Sequence, residues 1–147
     1  MSIEEELVIP SVQARRSLSR WQAVAFATAG SVVGSLLVWA LFHVFGASFE
    51  VLDGSTVHTV GVSGIATMAG LPVLVGVTLA ALLSRVRPVA IRIAQVVGAA
   101  LPILTIAGSL SADTDWTTRI GLALMHLVVA GFVVVGLELM RRRVVAG

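Results

Sequence analysis

Four stretches of this chain run without a charged residue: Gln22–Phe45, Thr59–Leu83, Ile93–Ala112 and Ile120–Leu137. The hydrocarbon core of a bilayer takes about 20 apolar helical residues to cross, within a range of about 17–25, so each stretch is long enough to span it. Short polar segments separate the four. The pattern predicts an all-α fold, a four-helix transmembrane bundle, with spans at about 22–45, 59–83, 93–112 and 120–137 inside a membrane domain covering 20–140. Residues 1–19 read as a polar tail and 141–147 as an arginine-rich one. The spans are so evenly apolar that periodicity gives no sign of which faces meet lipid.

The charges orient this arrangement. Ser84-Arg85-Val86-Arg87-Pro88 joins the second and third spans, and nine of the ten arginines fall in three segments: Arg15, Arg16 and Arg20; Arg85, Arg87 and Arg92; Arg141 to Arg143. Glu50, Asp53, Asp113 and Asp115 fall in the other two connections, where Arg119 is the one arginine. Cytoplasmic segments carry the excess of basic residues, so four spans with both termini inside fit these counts and the inverted arrangement does not. The expected location is a bacterial cytoplasmic membrane, with the lipid bilayer as the surrounding partner. In the leader, Glu4-Glu5-Glu6 can pair loosely with Arg15-Arg16, and Pro10 interrupts any long helix. Ala14-Arg15-Arg16-Ser17-Leu18 resembles a twin-arginine export signal. The apolar run behind it is longer than a signal peptide's, though, and more spans follow, so it reads as a retained first span.

Composition agrees with the pattern. Hydrophobic residues make up 57% of the 147 and charged residues 12%, against roughly 25% charged in soluble domains, and the mean hydropathy is +1.00. The high isoelectric point is not a nucleic-acid signal. It arises because every basic residue is arginine, whose pKa lies above about 12, while the net charge is only +2. With no cysteine, disulfides and thiolate chemistry are excluded.

Two features concern helix packing. Gly30-x-x-x-Gly34, extended by Ala23, Ala27 and Ser31, forms a row of small residues where another backbone can approach closely. Such a face serves either a second copy of the chain or a neighbouring helix of the same chain, and in a four-span protein the neighbour is favoured. Gly70-Leu71-Pro72-Val73-Leu74 and Ala100-Leu101-Pro102-Ile103-Leu104 are near copies, and each proline is fifteen residues from Arg87. Both prolines therefore sit roughly 22 Å from the turn, at similar depth on antiparallel helices. Each frees a carbonyl four residues earlier, at Met68 and Gly98. Paired breaks of this kind make substrate or ion sites in transporters, although prolines also occur in membrane helices simply as kinks.

The candidate chemistry is sparse. All three histidines, His43, His58 and His126, belong to the outer half on this topology, and their spacing forms no metal motif. His126 lies within the fourth span, where a titratable group is a functional candidate by default. Arg119, Leu122, His126, Val129, Val133 and Leu137 share a rough helical stripe, so His126 and Arg119 can face one polar pocket. Asp115 at i−4 can pair with Arg119, and Glu138 can likewise reach Arg142. The alternative for His126 is a neutral ring bonded to a neighbouring helix through Thr67, Thr105 or Ser109. Nucleophile elbows, H-E-x-x-H helices, phosphate loops and paired intramembrane carboxylates are all missing from the sequence. No metal, cofactor, catalytic residue or nucleic-acid partner is expected.

Asp115-Trp116, Ala123-Leu124-Met125-His126-Leu127-Val128, the proline-bearing middle spans and the arginine-rich turn together resemble a family of small actinobacterial four-helix membrane proteins, catalogued as a domain of unknown function. The likeness covers about residues 20–140. It implies a four-span inner-membrane protein, adds weight to His126 and assigns no activity. The function expected is a non-enzymatic accessory subunit of a larger membrane complex or a homo-oligomer. The alternative is a small oligomeric transporter or channel subunit with a mid-membrane site near Pro72, Pro102 and His126.

Overall fold

The computed structural model describes residues 17–146. Four helices carry the fold: α1 (Arg20–Val44), α2 (Val62–Leu83), α3 (Val89–Ser111) and α4 (Trp116–Ala146). Each is long and apolar enough to cross a membrane, the architecture of a multi-pass membrane protein. The Glu4–Glu6 and Arg15-Arg16 features of the leader lie outside the described residues.

The helices run up and down. The α1–α2 and α3–α4 connections meet at one end through the Leu52 amide, which donates to the Asp113 carbonyl. At the other end, Arg20 Nε at the start of α1 donates to Ser84 Oγ in the α2–α3 turn at 3.1 Å. Also there, the Leu18 amide donates to the Leu139 carbonyl of α4 at 3.2 Å. Around the bundle, α1 packs on both α2 and α4, and α4 on α3, whereas α2 and α3 touch far less although they are consecutive.

Small residues set that order. Gly30 and Gly34 face α4 so closely that a methyl group at Gly30 would sit 2.2 Å from a ring carbon of Phe132, and one at Gly34 would sit 2.6 Å from Val128. The Gly-x-x-x-Gly face is thus filled from within the chain. Gly136 of α4 returns the fit against Ala27. On the far side of α4, Gly98 of α3 receives Val133. Bringing backbones this near gains dispersion contacts that lipid tails cannot match, the usual source of stability inside a bilayer.

The helix bounds differ from the expected spans: α3 and α4 each begin four residues earlier, taking in Arg92 and Arg119, and two further differences change the architecture. First, the connection expected as a loop over Gly46–His58 contains a two-stranded antiparallel hairpin, β1 (Glu50–Asp53) with β2 (Thr56–Thr59). Thr59 pairs with Glu50 rather than opening α2, which starts three residues later. Asp53-Gly54 does turn the chain, and Gly54 has φ +62°, the left-handed conformation that glycine adopts at little cost. Second, α4 continues through Arg141–Arg143 to Ala146. Leu, Glu, Met and Arg are good helix formers, and Glu138 pairs with both Arg141 at 2.7 Å and Arg142 at 3.1 Å.

The hairpin is tied down rather than free. Asp115 caps α4: its carboxylate accepts from the Thr118 amide at 2.8 Å and hydroxyl at 2.6 Å, and from the Ser48 amide at 3.2 Å and hydroxyl at 2.7 Å. Thr118 Oγ1 in turn accepts the Phe49 amide at 2.9 Å. Phe49 has φ +53°, a conformation that costs a non-glycine residue energy. Its ring is 1% exposed, packed with Trp39 and His43. Trp39 Nε1 donates to the Val60 carbonyl at 3.0 Å and completes the cap.

Candidate functional site

The slack contact between α2 and α3 leaves space. A cavity of about 430 Å³ lies between them and against α1 and α4, with both Pro72 and Pro102 in its wall. The two prolines do share a level, and His126 of α4 lines the same space. Neither Arg119 nor Asp115 does.

A proline within a helix prevents the close, regular packing that a straight helix allows. The expected helix breaks do not occur: α2 and α3 run unbroken through Pro72 and Pro102, and both prolines line the gap, with Leu101 and Met68 at its edges and Gly64 adding no side chain. A second cavity, of about 210 Å³, shares Pro72, Val73, Leu101, Pro102 and Val129 with the first and continues past Gly76 and Gly98 toward the arginine-rich end. Together they form one slot that follows the α2–α3 gap. Its walls are almost wholly aliphatic.

Four polar side chains interrupt that surface: Thr59 at the hairpin end, His126, Thr105 and Ser35. His126 Nδ1 lies 2.7 Å from the Leu122 carbonyl one turn back. A carbonyl only accepts, so Nδ1 carries the proton in this bond, and in the neutral ring Nε2 is the acceptor. The partner is therefore the histidine's own helix, not Thr67, Thr105 or Ser109. Thr105 Oγ1 donates to backbone of its own helix, within reach of the Pro102 carbonyl at 2.7 Å and the Leu101 carbonyl at 3.2 Å. Ser35 of α1 is 1% exposed, and its Oγ has no hydrogen-bond partner. A buried hydroxyl without a partner costs about 1–3 kcal/mol, so Ser35 stands in this wall at a loss to the folded chain alone.

The expected Asp115–Arg119 pair does not form. Asp115 turns its carboxylate back onto Thr118 and across to Ser48, whose hydrogen bonds hold its pKa well below the usual carboxylate value of 3.8. Arg119 keeps Nε buried and without a partner, outside both cavities. The stripe of α4 therefore splits: His126 and Val129 reach the slot while Arg119 stays at the hairpin end. His43 stacks on Trp39 with ring centres 5.1 Å apart, and His58 stands exposed on β2. Among the described residues no group of three His, Asp or Glu is placed to hold a metal ion.

Ser35 is the site residue that the sequence reading passed over. It continues the row Ala23, Ala27, Ser31 by one more four-residue step, so a signal was present. That row marked packing, and nothing local distinguishes a serine that packs from one that lines a void.

A model of a family of unknown function, DUF6069, matches residues 15–143. No curated protein and no solved structure matches the chain.

Proposed function

Since the chain belongs to this family of unknown function, likeness carries no activity to it, and from its geometry we propose a non-enzymatic membrane protein that holds a single-chain lipophilic alcohol in the slot between α2 and α3. The observation that carries this reading is the unpartnered Ser35 hydroxyl in the wall of the cavity that His126 also lines. Ligand cavities run to about 300–1,000 Å³, mostly apolar with a few placed polar groups, and this one fits that description. A ligand hydroxyl can donate to His126 Nε2, and Ser35 Oγ, itself covered, can donate to that hydroxyl once its side chain turns toward the opening. Its aliphatic chain has the second cavity to occupy. The weak α2–α3 contact offers lateral entry from the bilayer. The wall has no carboxylate or arginine, which favours a lipophile over an ion and so turns the transport alternative away from ion conduction. On this reading the protein belongs to a bacterial cytoplasmic membrane with both termini inside, and the gathering of arginines at one end of the bundle supports that orientation.

A photoreactive, diazirine-bearing hexadecanol tests this reading. Cross-links are expected at Met68 and Leu101, at the cavity edge. Gly64 lines the cavity and has open space beside it, so Gly64→Leu fills the site and abolishes labelling. Gly108 also has open space but lines neither cavity, so Gly108→Leu leaves labelling intact. Equal labelling of the two variants sinks the reading.

A second reading, the accessory or homo-oligomeric role, draws support from α3. Ile91 is its one fully buried residue, while Ile93, Val96, Leu101, Ile103 and Leu104 are all more than half exposed. Native mass spectrometry after gentle extraction decides it. A larger partner at fixed ratio or a defined oligomer supports the role, and a monomer throughout removes it.

A further inference from the structure

We propose that the arginine-rich end of the bundle carries a binding site for a phosphate oxyanion, built from Arg20, Arg85 and Arg143. A hollow of about 450 Å³ opens there, lined by these three arginines together with Ser19 and Trp21. They come from the start of α1, the α2–α3 turn and the end of α4, so only the folded bundle brings them together. Charge bias alone puts arginines at this end of the molecule. It does not select these three, and Arg87 of the same turn and Arg92 at the start of α3 stay out of the hollow.

The supporting geometry is local and fixed. Ser84 is 2% exposed. It accepts Arg20 Nε at 3.1 Å and donates to the Ala81 carbonyl at 2.8 Å. That anchors the inner edge of the Arg20 guanidinium and leaves its two terminal nitrogens for a ligand. The Leu18 amide is held by the Leu139 carbonyl, which fixes the chain entering α1 against α4. Glu138, the one carboxylate at this end among the described residues, is taken by Arg141 and Arg142 and does not line the hollow. A planar guanidinium offers paired donors that match phosphate oxygens, and several together desolvate such an anion effectively. Trp21, 57% exposed at the rim, is the residue type that settles at the headgroup level of a bilayer. A phosphate group on an anionic phospholipid or on a soluble compound satisfies the same donors.

The experiment uses the full chain, so that Glu4–Glu6, which lie outside the described residues, are present. Native mass spectrometry measures retention of dioleoylphosphatidylglycerol against dioleoylglycerol, which lacks the phosphate, with inorganic phosphate as competitor. Two variants remove equal charge: Arg85→Gln/Arg143→Gln inside the hollow and Arg87→Gln/Arg92→Gln outside it, with far-UV circular dichroism confirming that both fold. Phosphatidylglycerol retention is expected to fall about tenfold or more in the first variant and to hold in the second. If inorganic phosphate displaces the lipid from the unmodified protein, the site takes soluble phosphate compounds; if it does not, the occupant is the lipid headgroup. Equal losses in the two variants, or equal retention of the two lipids, overturn the proposal.

Discussion

The Asp115 carboxylate accepts hydrogen bonds from both the amide and the hydroxyl of Ser48, at 3.2 and 2.7 Å, across sixty-seven positions of sequence. The same carboxylate caps α4 through Thr118, so one side chain joins the start of the last helix to the root of the hairpin. Asp115→Ala is expected to destabilise the protein by about 1–2 kcal/mol, the scale of a lost helix N-cap. The loss should concentrate in the hairpin. Amide hydrogen exchange over residues 49–60 is expected to accelerate more than exchange in α1, and uniform acceleration would contradict this placement.

The hydrogen bonds that lower the pKa of Asp115 also set a pH dependence. The unfolded carboxyl titrates near 3.8 and the folded one well below it, so the stabilisation is complete above about pH 5 and is lost as pH falls toward the folded value. The melting temperature in detergent should therefore be flat between neutral pH and about 5 and decline below 4. Asp115→Asn should remove that part of the decline. An unchanged acid limb in this variant would assign the pH dependence to other carboxylates.

Close packing of α1 on α4 predicts opposite effects of one methyl group at two glycines. Gly30→Ala forces a carbon into the Phe132 ring, and overpacking of this kind costs about 1–3 kcal/mol. Gly64→Ala meets open space, and replacing glycine within a helix gains up to about 1 kcal/mol. Thermal melts of the two variants should move in opposite directions, and Phe132→Leu should restore Gly30→Ala in part. Were Gly30 an intermolecular contact, Gly30→Ala would instead shift the oligomer distribution while leaving the monomer's melt unchanged.

These contrasts mark what could be read from the amino acids alone. The four helices were legible because the length of an apolar run is a local property and the bilayer supplies the ruler. The common depth of Pro72 and Pro102 followed from counting along antiparallel helices. The hairpin was not legible. Its strands, Glu50–Asp53 and Thr56–Thr59, are mostly exposed and lack the alternation of a buried face, and Asp113, Thr114 and Asp115, far along the chain, hold the segment in place. The Asp115–Arg119 spacing suited an ion pair, yet an aspartate at a helix start finds the backbone amides first. Glu138–Arg142 formed as expected, with Arg141 added. The arginine segments were read for orientation, and their meeting in one hollow needed the tertiary structure.

Ser35 supplies the sharpest test of the slot, because binding and stability should part company there. Its hydroxyl is buried without a partner, so removing it relieves a desolvation cost of about 1–3 kcal/mol, less the contacts of one lost oxygen. Ser35→Ala is therefore expected to raise the melting temperature of the ligand-free protein. The same change takes away the donor offered to a bound alcohol, and a lost neutral hydrogen bond of about 0.5–1.5 kcal/mol lowers affinity by about two- to tenfold. Residues that hold a ligand at the expense of the fold behave in this way. His126→Ala should weaken the same alcohol while leaving an alkane of equal length unaffected. Melting curves with and without hexadecanol, read on both variants, separate the two effects. A Ser35→Ala protein that is less stable yet binds hexadecanol as before would make Ser35 a packing residue and return the cavity to an accident of how α2 and α3 pack around Pro72 and Pro102.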